Sequence, residues 1–220
     1  MRGECARIVR QKKQKMEVIK NIEQRTEEWY DLRRLKLTAS CADKVISGGN
    51  VLFNHCEKVV NEFLYGAEAH YVNNDMQRGI DLEPTARALA SSIYGVEFQE
   101  IGAIVHNDRV LVSPDGVEFV DDKPNKLIEI KCPNDNVFKK VLDGYINPKY
   151  YAQIQMQLYV SKATECLYFN YNENIEPFYY GKWIKPDNEM FKTLEKNLKF
   201  GADIIDILLI KHFEGKNDNS

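Results

Sequence analysis

Two prolines and a glycine bracket the stretch that most restricts how this chain can fold. Ser113-Pro114-Asp115-Gly116 is a turn signal, and Pro133 closes the run that follows, because proline cannot donate to a strand ladder. Between them, Val117 to Val120 and Lys126 to Lys131 read as strands joined through Asp121-Asp122-Lys123-Pro124-Asn125. Side chains on a strand alternate between faces, so Glu129 and Lys131 share one. Glu129 is also a polar residue in a run otherwise built from Leu127, Ile128 and Ile130. Metal-dependent phosphodiester cleavage needs anionic oxygens that converge on hard cations, with a further cation for the charge that builds on phosphate. A carboxylate at the turn, then a carboxylate and a lysine on one strand face, supplies that set. Each piece alone has an ordinary explanation. Pro-Asp-Gly is a common turn, and Glu-Ile-Lys can be the solvent face of an alternating strand. Order, strand context and short separation are what join them.

Upstream, Thr26 reads as an N-cap, with Glu27 and Glu28 in the first turn and Trp29, Leu32 and Leu35 at helical spacing. A second short helix is expected near Ser40, and Ser47-Gly48-Gly49-Asn50 breaks the chain. Met76, Ile80, Leu89 and Ile93 suggest a helix interrupted or restarted at Pro84. Proline disfavours helical geometry at the residue before it, which places Glu83 at a helix start or kink. Ile101 to His106 and Arg109 to Ser113 form a hairpin across Asn107-Asp108. Downstream, Tyr151, Ile154 and Leu158 give a helix stripe. Strands at Cys166 to Tyr171 and Pro177 to Ile184 follow, then a long amphipathic helix over 187–212. No repeat or linker divides the chain. The expected fold is α/β (α+β-like), one domain over 1–220 with a central mixed β-sheet flanked by helices.

Composition narrows the function class. With 44% hydrophobic and 29% charged residues in 220, this is a folded globular chain rather than a disordered one. A formal net charge of −3 argues against coating nucleic acid by bulk charge and leaves local basic patches open. Residues 1–20 carry Arg2, Arg7, Arg10, Lys12, Lys13, Lys15 and Lys20 against Glu4 and Glu17. That segment reads as a solvated helix or loose arm, or as a DNA-contacting arm. The scattered cysteines contain no CxxC pair, so zinc and iron–sulfur spacing are absent and reduced thiols are expected. With no membrane-length apolar run and no signal peptide, the chain is expected inside a cell, with no membrane partner.

Pro114-Asp115 followed by Glu129-Ile130-Lys131 resembles the PD-(D/E)xK nuclease pattern, a restriction-endonuclease-like core. More specifically, the chain resembles the lambda-exonuclease and YqaJ branch of viral recombination nucleases. Gln24, Thr26, Trp29, Arg33 and Thr38-Ala39-Ser40 resemble that branch's N-terminal signature, and Gly79, Glu83-Pro84, Ala86-Arg87 and Tyr94 its acidic helix. Ser113 to Gly116 and Glu129 to Pro133 resemble its core, and Tyr150, Gln153 and Gln155 its late YxxQxQ helix.

The resemblance implies roles. Asp115, Glu129 and the backbone carbonyl of Ile130 would hold Mg²⁺, with Mn²⁺ able to substitute, and Glu83 would lie at a second ion or its waters. Lys131 would position or help deprotonate the attacking water, and Gln153 would orient the helix or contact the lysine and DNA. Arg33, Ser40 and Ser113 would form a pocket for a 5′-phosphate. The implied activity is a 5′→3′ exonuclease on linear double-stranded DNA ends, leaving 3′ single-stranded tails for recombination. A single-strand annealing protein is the implied partner, and a homo-oligomer, a trimeric ring in relatives, the implied assembly. Two alternatives stay open: a structure-specific or nicking endonuclease on the same fold, and a non-catalytic DNA-binding accessory protein.

Overall fold

Thr26 does cap the first helix, α1 (Glu27–Arg33): its hydroxyl accepts from Trp29 N at 3.3 Å, and Trp29 is the residue the helix buries. The computed structural model describes residues 16–66 and 73–217. Residues 1–15, most of the basic segment, lie outside the described residues. Of the rest, β1 (Glu17–Ile19) is a strand rather than a helix or loose arm, because Val18 and Ile19 pair with the apolar strand β3 (Ala103–Asn107).

Beyond β2 (Leu37–Thr38) and a 3₁₀ turn over Ala39–Cys41 comes α2 (Ala42–Ser47). It stops at Gly48, whose φ of 63° is easy only for glycine. The expected break is confined to Gly48, and the chain then re-enters a helix, α3 (Gly49–Tyr65). Leu52, Cys56 and Val60, four residues apart, are its buried stripe. Next, α4 (Asn74–Tyr94) is capped by Asn73 and runs unbroken through Pro84. Pro84 therefore neither interrupts nor restarts it, and Glu83 sits mid-helix. The ring is exposed and removes one backbone bond, while Glu83, Ala86 and Ala90 on the buried face hold both flanking turns in place.

The expected central sheet is two four-stranded mixed sheets. The first has the order β1-β3-β4-β2, with β4 (Val110–Val112) antiparallel to β3 and parallel to β2. The second has the order β5-β6-β7-β8: β5 (Gly116–Val120), β6 (Lys123–Lys131), β7 (Glu165–Tyr171) and β8 (Tyr179–Ile184). The division falls at Ser113-Pro114-Asp115, where Pro114 has no N–H to extend a ladder. Among the described residues, a single bridge between Gln99 and Val117 lies outside the named strands.

The two faces of β6 have different partners. Ile128 and Ile130 pack with Leu167, Phe169 and the Ala86/Ala90 face of α4. Leu127 and Glu129 face the other way, toward α6 (Pro148–Ser161), which also contacts β3, β4 and β7. A short helix, α5 (Asp135–Leu142), lies between β6 and α6. The long α7 (Asn188–Asn217) buries Leu194, Leu198, Ile205 and Leu209 and packs against α2 and α3. Among the described residues no helix is long and apolar enough to cross a membrane.

Candidate active site

Asp115 is fixed by β6 rather than by its own loop. Its backbone N–H donates to Ile128 O at 3.2 Å, and its Oδ2 accepts from Ile130 N at 2.6 Å. The next residue, Gly116, begins the β5–β6 ladder opposite Ile128. A Cβ at Gly116 would stand 2.9 Å from the Ile128 methyl, so only glycine lets the turn come this close. Glu129 is buried and carries three donors. Oε1 accepts from Gln153 Nε2 at 2.6 Å and from the Lys131 ammonium, and Oε2 accepts from Gln157 Nε2 at 2.7 Å. Gln153 and Gln157 lie one helical turn apart on α6, so both reach the same carboxylate. Gln155 points elsewhere: it donates to Lys185 O and accepts from Asp187 N, each at 2.9 Å. The Lys131 ammonium also lies 4.8 Å from the centre of the Tyr150 ring.

Charge is crowded here. Burial first, then the carboxylates of Glu129 and Glu83, push Asp115 well above the usual carboxylate range. Burial by itself would lower the Lys131 ammonium, but Glu129 and Asp115 more than offset this and raise it. Glu83 is held differently. Its Oε1 accepts from Arg87 at 2.8 Å and its Oε2 pairs with Arg25, while Arg87 also donates to Glu100 at 2.6 Å.

Asp115, Glu129, Lys131, Gln153, Tyr150, Glu83 and Arg25 line one cleft of about 1040 Å³, and so do Arg33 and Ser40. Ser113, two residues before Asp115, joins the two parts. Its hydroxyl accepts from Trp29 Nε1 at 3.2 Å and from Arg33 at 3.4 Å. The Arg33 guanidinium stacks 4.1 Å from the Trp29 ring, whose N–H also donates to Gly102 O at 2.9 Å. Burial lowers Arg33 to about 10, and among the described residues no carboxylate pairs with it. Ser40 is exposed, with its hydroxyl 2.9 Å from that of Thr38.

A model of the YqaJ-like viral recombinase domain matches residues 28–164. The chain belongs to that family. Among solved structures, this YqaJ-like domain is similar to an alkaline exonuclease, LHK-Exo, from Laribacter hongkongensis, with a TM-score of 0.79 and 27% identity. That likeness covers 89% of this chain and 100% of the other, and a second structure of LHK-Exo is a complex with dAMP. A phage-related exonuclease from Haemophilus somnus 129PT shares the fold, with a TM-score of 0.63 at 16% identity over 83% of this chain and 98% of the other. Among curated proteins, uncharacterized protein R354 of Acanthamoeba polyphaga mimivirus is 27% identical over 231 residues. The match takes in 93% of this chain and 39% of that relative's length.

The YqaJ-like domain thus brings Asp115, Glu129, Ile130, Lys131 and Gln153 to one place, with Glu83, Arg33 and Ser40 along the same cleft and Ser113 bonded to Arg33. Among the described residues no three His, Cys, Asp or Glu side chains form a ready-made metal cage. Two carboxylates and a carbonyl are nevertheless hard oxygen donors, and they fit an ion that keeps much of its water, as Mg²⁺ does. The sequence pointed to neither Gln157 nor Arg25, and it gave Arg87 a place in the acidic helix but no role. For Gln157 the signal was present, since i+4 rather than i+2 is the helical neighbour of Gln153. Arg25 carried no pattern at all.

Proposed function

We propose that this YqaJ-like domain is a divalent-metal-dependent 5′→3′ exonuclease acting on one strand of linear double-stranded DNA, leaving 3′ tails for an annealing protein. The observation that carries the reading is Arg33: a desolvated guanidinium with no carboxylate partner among the described residues, bonded to Ser113 and opening on the cleft that holds Asp115 and Glu129. A terminal phosphate dianion is the complement of such a fork and hydroxyl set. Likeness to an alkaline exonuclease, one structure of which contains dAMP, supports a nucleotide-releasing nuclease.

In this reading Asp115, Glu129 and the Ile130 carbonyl hold Mg²⁺ or Mn²⁺, with Glu83 toward a second ion or its waters. The ions, when bound, supply hydroxide at neutral pH and charge neutralisation on the phosphate. The chain's own groups do the rest. Gln153 and Gln157 hold the Glu129 carboxylate in one orientation, and Lys131 places its ammonium against the attacked phosphate and the incoming water. Arg33, Ser113 and Ser40 grip the 5′-phosphate, so that the next phosphodiester meets the carboxylates. Attack on phosphorus breaks the P–O3′ bond, and the departing O3′ takes a proton. The shortened strand keeps a 5′-phosphate, so each cut regenerates the group that the pocket reads.

The test is digestion of linear, nicked and closed circular duplexes bearing 5′-phosphate or 5′-hydroxyl ends. Linear 5′-phosphorylated DNA is expected to shorten from its 5′ ends, and Arg33→Ala to lose the preference between the two ends. Cutting of closed circles would favour the endonuclease reading instead, and an Arg33→Ala protein that still prefers 5′-phosphate would overturn the role given to Arg33.

A further inference from the structure

Arg25 stands out among the cations of the cleft because Glu83, its one ion-pair partner among the described residues, is replaceable. It is the least buried of the groups around Glu83: its side chain is 36% exposed, against 12% for Arg87 and 9% for Glu83. Arg87 is tied twice, to Glu83 and to Glu100, whereas Arg25 is tied to Glu83 alone. If Arg25 leaves, Glu83 retains a guanidinium; if Arg87 leaves, two carboxylates lose one. Arg25 is therefore the member that can exchange.

Its backbone is built for aiming rather than for local stability. Arg25 has a φ of 71°, left-handed and unfavourable for a residue with a side chain. Such conformations persist where surrounding contacts impose them, and they concentrate at binding sites. The contacts here are specific. Gln24 is buried and its amide donates to Ile101 O at 2.8 Å and to Pro114 O at 3.1 Å. That amide ties the Arg25 loop to the turn carrying Asp115. Thr26 on the other side caps α1, the helix that carries Arg33. The guanidinium lines the same cleft as Asp115, Glu129 and Arg33.

We infer that Arg25 is a DNA-phosphate-binding residue kept in reserve by Glu83, and that it exchanges this carboxylate for a backbone phosphate when a strand enters the cleft. The inference rests on the proposed reading of the cleft as a DNA site. The exchange conserves charge pairing, because the guanidinium trades one anionic oxygen pair for another, and Glu83 is released toward the cleft with Arg87 still attached. Glu83 then has two uses: it keeps Arg25 in place before DNA arrives, and it is available beside the scissile phosphate afterwards.

Binding without cleavage tests this. A 5′-phosphorylated duplex with a short frayed end, labelled at its far end, is titrated in EDTA and followed by fluorescence anisotropy over a range of salt. Arg25→Ala is expected to weaken binding about tenfold, the worth of one charge-assisted contact, and to flatten the salt slope by about one ion. Glu83→Gln frees the guanidinium and should tighten binding about threefold, an effect that disappears in the Arg25→Ala background. Arg25→Gln keeps a donor for Glu83 without the charge, so it carries the test should Arg25→Ala fail to fold by circular dichroism. Wild-type affinity and salt slope in both Arg25 variants, alongside weakened binding by Arg33→Ala, would overturn the role of Arg25 alone. Unchanged binding by Arg33→Ala as well would overturn the DNA reading of the cleft, and this inference with it.

Discussion

Replacing Gln157 with methionine isolates one hydrogen bond at the centre of the site. The two side chains are similar in length and volume, so packing of α6 is kept while the donor to Glu129 Oε2 is lost. Glu129 is buried, and its other oxygen is already taken by Gln153 and Lys131. No other hydrogen bond among the described residues reaches Oε2. A hydrogen bond to a charged group contributes about 1.5–3 kcal/mol, and at about 1.4 kcal/mol per factor of ten this is roughly 10- to 100-fold. The loss should appear in two places. The Mg²⁺ concentration for half-maximal cleavage should rise by that factor, because a carboxylate free to rotate is a poorer ligand. The apo protein should also melt roughly 5 °C lower, since about 2 kcal/mol in a domain of this size shifts Tm by a few degrees per kcal/mol. Calorimetric titration with Mn²⁺ on DNA-free protein gives the metal effect independently of turnover. Metal affinity within twofold of wild type, in a variant that melts lower, would show that Gln157 serves the fold only and would refute the argument.

Asp115→Asn should reduce cleavage on the order of a thousandfold by losing a ligand charge, while its amide oxygen can still accept from Ile130 N. The same change should raise Tm. A carboxyl group raised above its ordinary range binds its proton more tightly in the native state, so at neutral pH the ionised form opposes folding. A thermal melt at pH 8 that falls instead would contradict this. His55 is pushed down to about 4, first by burial and then by Lys44 and Lys58, so the fold holds it neutral. The unfolded chain takes up the proton below its ordinary 6.5, and this contribution to stability is lost as pH falls from 6.5 toward 4. His55→Leu should narrow that loss by roughly 2 kcal/mol, allowing for partial screening, as read from urea midpoints at pH 7 and pH 4.5.

The candidate active-site group was legible because it rests on short-range rules. A Pro-Asp-Gly turn, a strand period of two and a polar residue in an apolar run put Asp115, Glu129 and Lys131 together before any tertiary contact is known. What sequence reading lost is non-local. The X-Pro rule at Glu83 describes a dipeptide, and packing of Ala86 and Ala90 overrode it across α4. The glycines at 48 and 49 announced a break but could not say that the chain would turn straight into another helix, although Leu52, Cys56 and Val60 carried the period. One expected sheet became two because strand partners are chosen across the chain: β2 joins β4 in parallel, and β1 reaches β3 from more than 80 residues away. Arg25 is the extreme case, since both its αL backbone and its ion pair come from residues distant in sequence.

The seam at Ser113-Pro114-Asp115 has one more consequence. Asp115 is bonded to β6, so both candidate metal carboxylates ride on the second sheet. Ser113 follows the last strand of the first sheet and, with Trp29 and Arg33, belongs to that side. The groups proposed to cut and the groups proposed to grip the strand's end are thus mounted on different frames, separated by a proline that cannot be stitched into either. In an exonuclease built this way, the spacing between frames is a molecular ruler. On the proposed reading it would set how many nucleotides leave with each cut, and lengthening that turn by one residue would change the size of what is released before it changed the chemistry.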